Sequence, residues 1–171
     1  MLEITSNLRT AFDSARAQIE DTPILGYAIL TDDTGIMFTP VVGTDRGQYQ
    51  NVPADDIKFL PTYWDVPTHA ELAGSGLGVL NQLYEQCSDF DNDDHWHEQF
   101  RSRAYLLLVS CLEQLVAEGY FSSDAPEPFV AVWVVDSDVP NTRARSWAKR
   151  LNSPTMYHQF VSWLDKAGVQ G

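Results

Sequence analysis

A chain of 171 residues can bury one substantial core and is short for two, and its 44% apolar and 20% charged residues fit a globular protein rather than a disordered one. Eleven Lys and Arg against 24 Asp and Glu give a formal charge of −13. That balance argues against direct nucleic-acid binding, whose affinity comes largely from neutralised phosphates. The longest apolar run, Phe129–Val135, falls far below the roughly 20 residues needed to span a bilayer.

In chain order, Ile4, Leu8, Phe12, Ala15 and Ile19 mark one face of an amphipathic helix, with Pro23 beyond its end. Ile24–Thr31 and Ile36–Val42 are rich in β-branched and aromatic residues, and Asp32-Asp33-Thr34-Gly35 between them predicts a hairpin turn. Pro40 has no N–H for a ladder, which predicts that the second strand lies at an edge there. Gly43, Gly47 and Pro53 punctuate a polar loop. Ile57 to Pro67 fits either a short strand or irregular structure, and Leu77–Cys87 reads as helix.

Trp96–Gly119 gives the strongest helical pattern, with polar Arg103, Ser110, Gln114 and Glu118 on one narrow stripe, so a mostly buried helix ended by Gly119 is expected. Phe129–Val135 is a continuous apolar run, expected of a central strand covered on both faces. Two helices close the chain. Asn141 or Thr142 caps the first, with Ala144, Trp147, Ala148 and Leu151 inward; Ser153-Pro154 caps the second, with Met156, Phe160, Trp163 and Leu164 inward. The expected fold is α+β. A single domain over 1–171 would pack a small, mainly antiparallel sheet (the hairpin plus a central strand) with about five helices.

The known chemical motifs each fail at a named place. Asp89, Asp91 and Asp93 occupy the first, third and fifth positions of a calcium loop, but Asp94 stands where glycine is required and Phe100 where the bidentate glutamate belongs. His95 and His97 lie two apart rather than the helical four. His69-Ala70-Glu71 lacks the cysteine half of a zinc-deaminase signature, and Gly74-Ser75-Gly76-Leu77-Gly78 has neither the leading strand nor the lysine of a phosphate cradle. Asp136 and Asp138 beyond the last strand are weak candidates for a divalent metal, against a purely structural role at a strand end. Cys87 and Cys111 form no CxxC pair, and the start MLEITSNLRT has no secretory pattern, so a reducing, cytoplasmic home is expected. No catalytic residue and no cofactor emerge from this reading.

The charge is unevenly spread: Asp45 to Glu98 holds 11 acids and two bases, whereas Pro140 to the end holds five bases and one acid. Solubility alone accounts for such acidity; a docking face for a basic protein partner is the functional alternative. On that alternative the contact residues are Asp55, Asp56, Asp65, Glu71, Asp89, Asp91, Asp93, Asp94 and Glu98.

Several short stretches then carry a resemblance. Gly26-Tyr27-Ala28-Ile29, Trp64 in Tyr63-Trp64-Asp65, Glu118-Gly119-Tyr120-Phe121, Val132–Asp136 and Ser146-Trp147-Ala148-Lys149-Arg150-Leu151-Asn152-Ser153-Pro154 together resemble the bacterial domain-of-unknown-function 4303 family over nearly the whole chain. The chain departs from the family pattern just after Trp64, at Thr68, Ala70 and Leu72. The resemblance implies a small cytoplasmic protein, with a place beside polymorphic toxins and hence an immunity role. It brings no catalytic residues. A metal-dependent enzyme using Asp136 and Asp138 or the Asp89–Asp94 loop, and a structural or adaptor module, are the other readings.

Overall fold

A computed structural model of the chain describes residues 2–19, 22–44, 52–64, 66–67, 82–85, 96–122, 124, 126–135 and 141–167. Helix α1 (Leu2–Arg16) is followed by strands β1 (Ile24–Thr31) and β2 (Phe38–Thr44), helix α2 (Ala54–Phe59), a 3-10 turn (Pro61–Tyr63) and a two-residue strand β3 (Val66–Pro67). Helix α3 (Trp96–Ala117), strand β4 (Phe129–Val134) and helices α4 (Asn141–Leu151) and α5 (Pro154–Lys166) complete the order. The sheet runs β3-β2-β1-β4, antiparallel except for the parallel pair β1–β4. This is the α+β architecture expected, with a mainly antiparallel sheet.

Apolar side chains alternate between the two faces of the sheet and build a core on each. On one face Tyr27, Ile29, Phe38, Val42, Val130 and Val132 pack with Leu8 and Phe12 of α1 and with Phe100, Tyr105, Leu108 and Leu112 of α3. On the other, Ala28, Val41, Phe129 and Ala131 meet Phe59 of α2, Trp64, and Met156, Phe160 and Trp163 of α5. Helix α4 contributes to both cores, Trp147 and Leu151 to the first and Ala148 to the second. The sheet is thus sandwiched between helical layers.

The hairpin turn forms where expected, with Gly35 at φ 74°. The Asp32 carboxylate fastens it, accepting from the Thr34 hydroxyl (2.7 Å) and from the N–H groups of Ile36 (3.2 Å) and Met37 (3.4 Å). Those bonds draw Ile36 and Met37 into the turn, so β2 begins at Phe38 rather than Ile36. Pro40 lies opposite Ile29, and the described residues of β3 pair with Val41 and Val42. Strand β2 is therefore an inner strand, and among the described residues its pairing with β3 covers Val41 and Val42.

Two further expectations change. Strand β4 is at the end of the described sheet, not its centre, and β1 is central. A continuous apolar run reports that both faces are covered; it does not report what lies along the strand's edges. Helix α3 is one-sided rather than mostly buried: eight of its 22 residues are buried, and Leu106 is 50% exposed. Its polar stripe docks α1 instead, through Thr5 on Gln114 (3.2 Å) and Arg9 on Glu118. The ending is as read from Gly119, with Tyr120 N–H bonded to the Leu115 carbonyl and Gly119 N–H to that of Val116, a Schellman closure.

The ambiguous segment Ile57–Pro67 holds the last three residues of α2, the 3-10 turn and the short strand β3. Helix α2 itself is six residues long, with Asp55 and Asp56 in its first turn, where carboxylates favour a helix. One and a half turns are too short for a periodic pattern to show. Of the predicted helix Leu77–Cys87, residues 82–85 are helical and the rest lies outside the described residues. The second closing helix matches its reading, with the Ser153 hydroxyl accepting from Met156 N–H at 3.2 Å and Pro154 at the first position. The first forms as expected, but Asn141 and Thr142 are already inside it, so neither is its cap.

Candidate functional site

Of the nine acidic residues proposed from sequence, Asp55, Asp56 and Glu98 lie among the described residues; Asp65, Glu71, Asp89, Asp91, Asp93 and Asp94 lie outside them, as do Asp136 and Asp138. Asp55 is exposed at an open depression beside Phe59, His158 and Lys166. Asp56 has a fold role: its Oδ1 accepts from Trp163 Nε1 at 2.7 Å and ties α2 to α5. Glu98 is exposed on the first turn of α3, beside Ser102 and Arg103. Because α2 and α3 pack on opposite faces of the sheet, these three carboxylates do not share one face.

The structure assembles a polar cluster that the sequence reading missed. Arg16, at the end of α1, donates from Nε to the Tyr27 hydroxyl (2.5 Å) and from Nη2 to Asp124 Oδ2 (2.7 Å) and the Tyr120 carbonyl (3.2 Å). Tyr27 donates to the same Asp124 oxygen at 2.7 Å. The Arg16 guanidinium also lies over the Tyr120 ring, 4.4 Å from its centroid, and the Tyr120 hydroxyl donates to Asp13 at 2.6 Å. The three elements involved are far apart in sequence. One signal was available: Arg16 continues the four-residue spacing of Leu8 and Phe12, so a cation stands on the apolar row.

Electrostatics follow from this arrangement. Burial opposes the Arg16 charge, but hydrogen bonds to Asp124 and Tyr27 outweigh it and hold the guanidinium more firmly protonated than usual. Burial, followed by the bond to Asp124, pushes Tyr27 well above an ordinary tyrosine. Tyr27 is thus a fixed donor to Asp124 rather than a base. Burial also raises the Cys111 thiol, away from the thiolate form that reacts as a nucleophile.

Asp124 also lines a cleft of about 500 Å³ between the end of α3, the start of β4 and the α4–α5 junction. Val116, Phe121, Pro128, Val130 and Leu151 supply its apolar wall, and Asp124, Glu127, Asn152 and Ser153 its polar one. Glu127 accepts from the Ser153 hydroxyl at 3.0 Å. Two of the stretches that carry the resemblance, Glu118–Phe121 and Ser146–Pro154, meet here. This chemistry suits holding a ligand group with an apolar body and a hydrogen-bonding tip. His97 is exposed, and among the described residues no three His, Cys, Asp or Glu side chains converge as a metal site.

No curated protein and no solved structure matches the chain. A family model does, the domain of unknown function DUF4303, over residues 4–153. With nearly the whole chain matched, from the first helix through the α4–α5 junction, this protein belongs to the DUF4303 family.

Proposed function

We propose that this protein is a cytoplasmic binding protein that engages a basic protein partner, of the immunity type that neutralises a toxin. The observation that carries the reading is the concentration of 11 acids against two bases between Asp45 and Glu98 in a chain of charge −13. Complementary charge of this kind accelerates encounter and selects against acidic partners. Asp55 and Glu98, both exposed, are the described members free to take part, while Asp56 holds the fold. The cleft beside Asp124 adds an apolar anchor point with carboxylates at its rim.

Co-expression with the product of the neighbouring gene tests this directly. A complex should form that weakens steeply with added salt, and growth arrested by a toxin should resume. Asp55→Lys with Glu98→Lys should slow association about tenfold while leaving the dissociation rate nearly unchanged. Neither a complex nor growth rescue would end the proposal.

A further inference from the structure

Most of the arginines in the described chain have a carboxylate. Arg9 pairs with Glu118, Arg16 with Asp124, Arg145 with Asp165, and Arg150 with Glu113 through two bonds of 2.6 Å. Arg101 and Arg143 differ. In a chain of net charge −13, neither makes an ion pair among the described residues. Arg101 Nε is moreover the one buried side-chain nitrogen or oxygen among them without a hydrogen-bond partner. Orphaned buried donors are rare in native proteins, and each calls for an acceptor.

The packing sets both cations beside one aromatic contact. Arg101 and Tyr105 stand one turn apart on α3, and Arg143 and Trp147 one turn apart on α4. The Tyr105 and Trp147 rings meet edge to face, 5.5 Å between centroids. Further along both helices Glu113 meets Arg150, so α3 and α4 run in the same direction. Both arginines therefore lie on the same side of the aromatic contact. Both guanidinium charges are felt at the Tyr105 phenol, opposing the burial that pushes it up to about 12.

That side is the carboxyl end of the parallel pair, whose last partners are Thr31 and Val134. The Tyr105 hydroxyl is 3.1 Å from the carbonyls of both Asp32 and Asp33, the residues directly after β1. In open, mostly parallel α/β sheets this is the end at which ligands bind, and the β1–β4 pair shares that local geometry. Arg143 is also in the first turn of the 11-residue helix α4, where the dipole favours an anion. The nearby Asp32 carboxylate is committed to the hairpin turn, and Asp33 pairs with neither arginine.

We propose that Arg101 and Arg143 form a binding site for a phosphate group at the carboxyl end of the β1–β4 pair. Two guanidinium forks on separate helices match the several oxygens of a tetrahedral dianion, whereas a planar carboxylate is satisfied by one fork. The site needs no protein partner and is independent of the acidic docking surface. In so acidic a protein, diffuse attraction of anions is unfavourable, so saturable binding reports a built site.

Calorimetry and thermal melting of the full chain with inorganic phosphate, against acetate and chloride at equal ionic strength, test the proposal. Phosphate should bind saturably and raise the Tm with concentration, and Arg101→Gln and Arg143→Gln should each weaken binding about tenfold or more. Arg143 is partly exposed and has no hydrogen bond among the described residues, so Arg143→Gln is expected to fold, and that variant decides the matter if Arg101→Gln fails to fold. Tighter binding of glycerol phosphate than of phosphate would assign an organic phosphate ester; equal binding would assign the free ion. No saturable effect of phosphate, an equal effect of acetate, or unchanged binding in Arg143→Gln overturns the proposal.

Discussion

Trp64 lies across two glycines, Gly26 of β1 and Gly43 of β2, that face each other in the ladder. A Cβ on Gly43 would stand 2.5 Å from an indole carbon, and one on Gly26 would stand 2.4 Å from both the indole and the Phe129 carbonyl oxygen. The indole is fixed in this notch by its Nε1–H, which donates to the Ile57 carbonyl at 2.8 Å. Gly43→Ala should therefore destabilise the protein by about 1–3 kcal/mol, read from urea unfolding, because the methyl group meets an aromatic plane that cannot retreat. Trp64→Leu in the same chain should recover part of that loss. Strictly additive effects of the two changes would show that the notch is not the cause. In sequence, Gly26 is a small residue inside an apolar run, and Gly43 marks a loop. Nothing local says that both make room for the same side chain, because the fit is created only when the sheet forms.

Among the elements, β4 and the α4–α5 junction depend on one another. The Asn152 side-chain amide bonds the strand's outer edge twice, accepting from Val130 N–H and donating to the Val130 carbonyl, both at 2.8 Å. It also reaches the Ala148 carbonyl at 3.0 Å. Asn152→Ala should cost about 2 kcal/mol, since two half-buried backbone groups lose their partners together. Amide exchange at Val130 should accelerate in step; unchanged protection there would refute the assignment. The elements legible in sequence were those with a strong period or a cap. Helix α1 had its apolar row, α5 its Ser153-Pro154 start, and α3 its Gly119 stop. Helix α2 was too short to show a period, and the start of β2 depended on the Asp32 carboxylate, a side-chain choice that no propensity encodes. The position of β4 was illegible for another reason: its apolar run is the same whether a strand or an asparagine amide lies beside it.

For the molecule as a whole, three tyrosines among the described residues contribute to its behaviour in alkali. Burial followed by bonds to carboxylates holds Tyr27 and Tyr120 above the ordinary tyrosine value, and burial raises Tyr105 to about 12. A phenol whose pKa is higher in the folded state keeps its proton after the unfolded chain has lost it. The stability these groups contribute is thus complete below about pH 10, the unfolded value, and is lost as pH rises through the folded values. Urea unfolding across that range should show a steady decline, steeper in the native chain than in Tyr27→Phe; equal slopes would dissociate Tyr27 from the effect. The candidate sites were legible to very different degrees. The acidic stretch was plain from composition, although its described members divide between the two faces of the sheet. The Arg16–Tyr27–Asp124 cluster and the Arg101–Arg143 pair join distant elements, so only the fold reveals them. The Asn152 amide has a last consequence, for life in a crowded cell. An open strand edge is a template on which other chains can polymerise, and at Val130 that template is already occupied from within. An invading strand would have to evict a partner making both bonds, so at Val130 the barrier to strand addition is built into a single side chain.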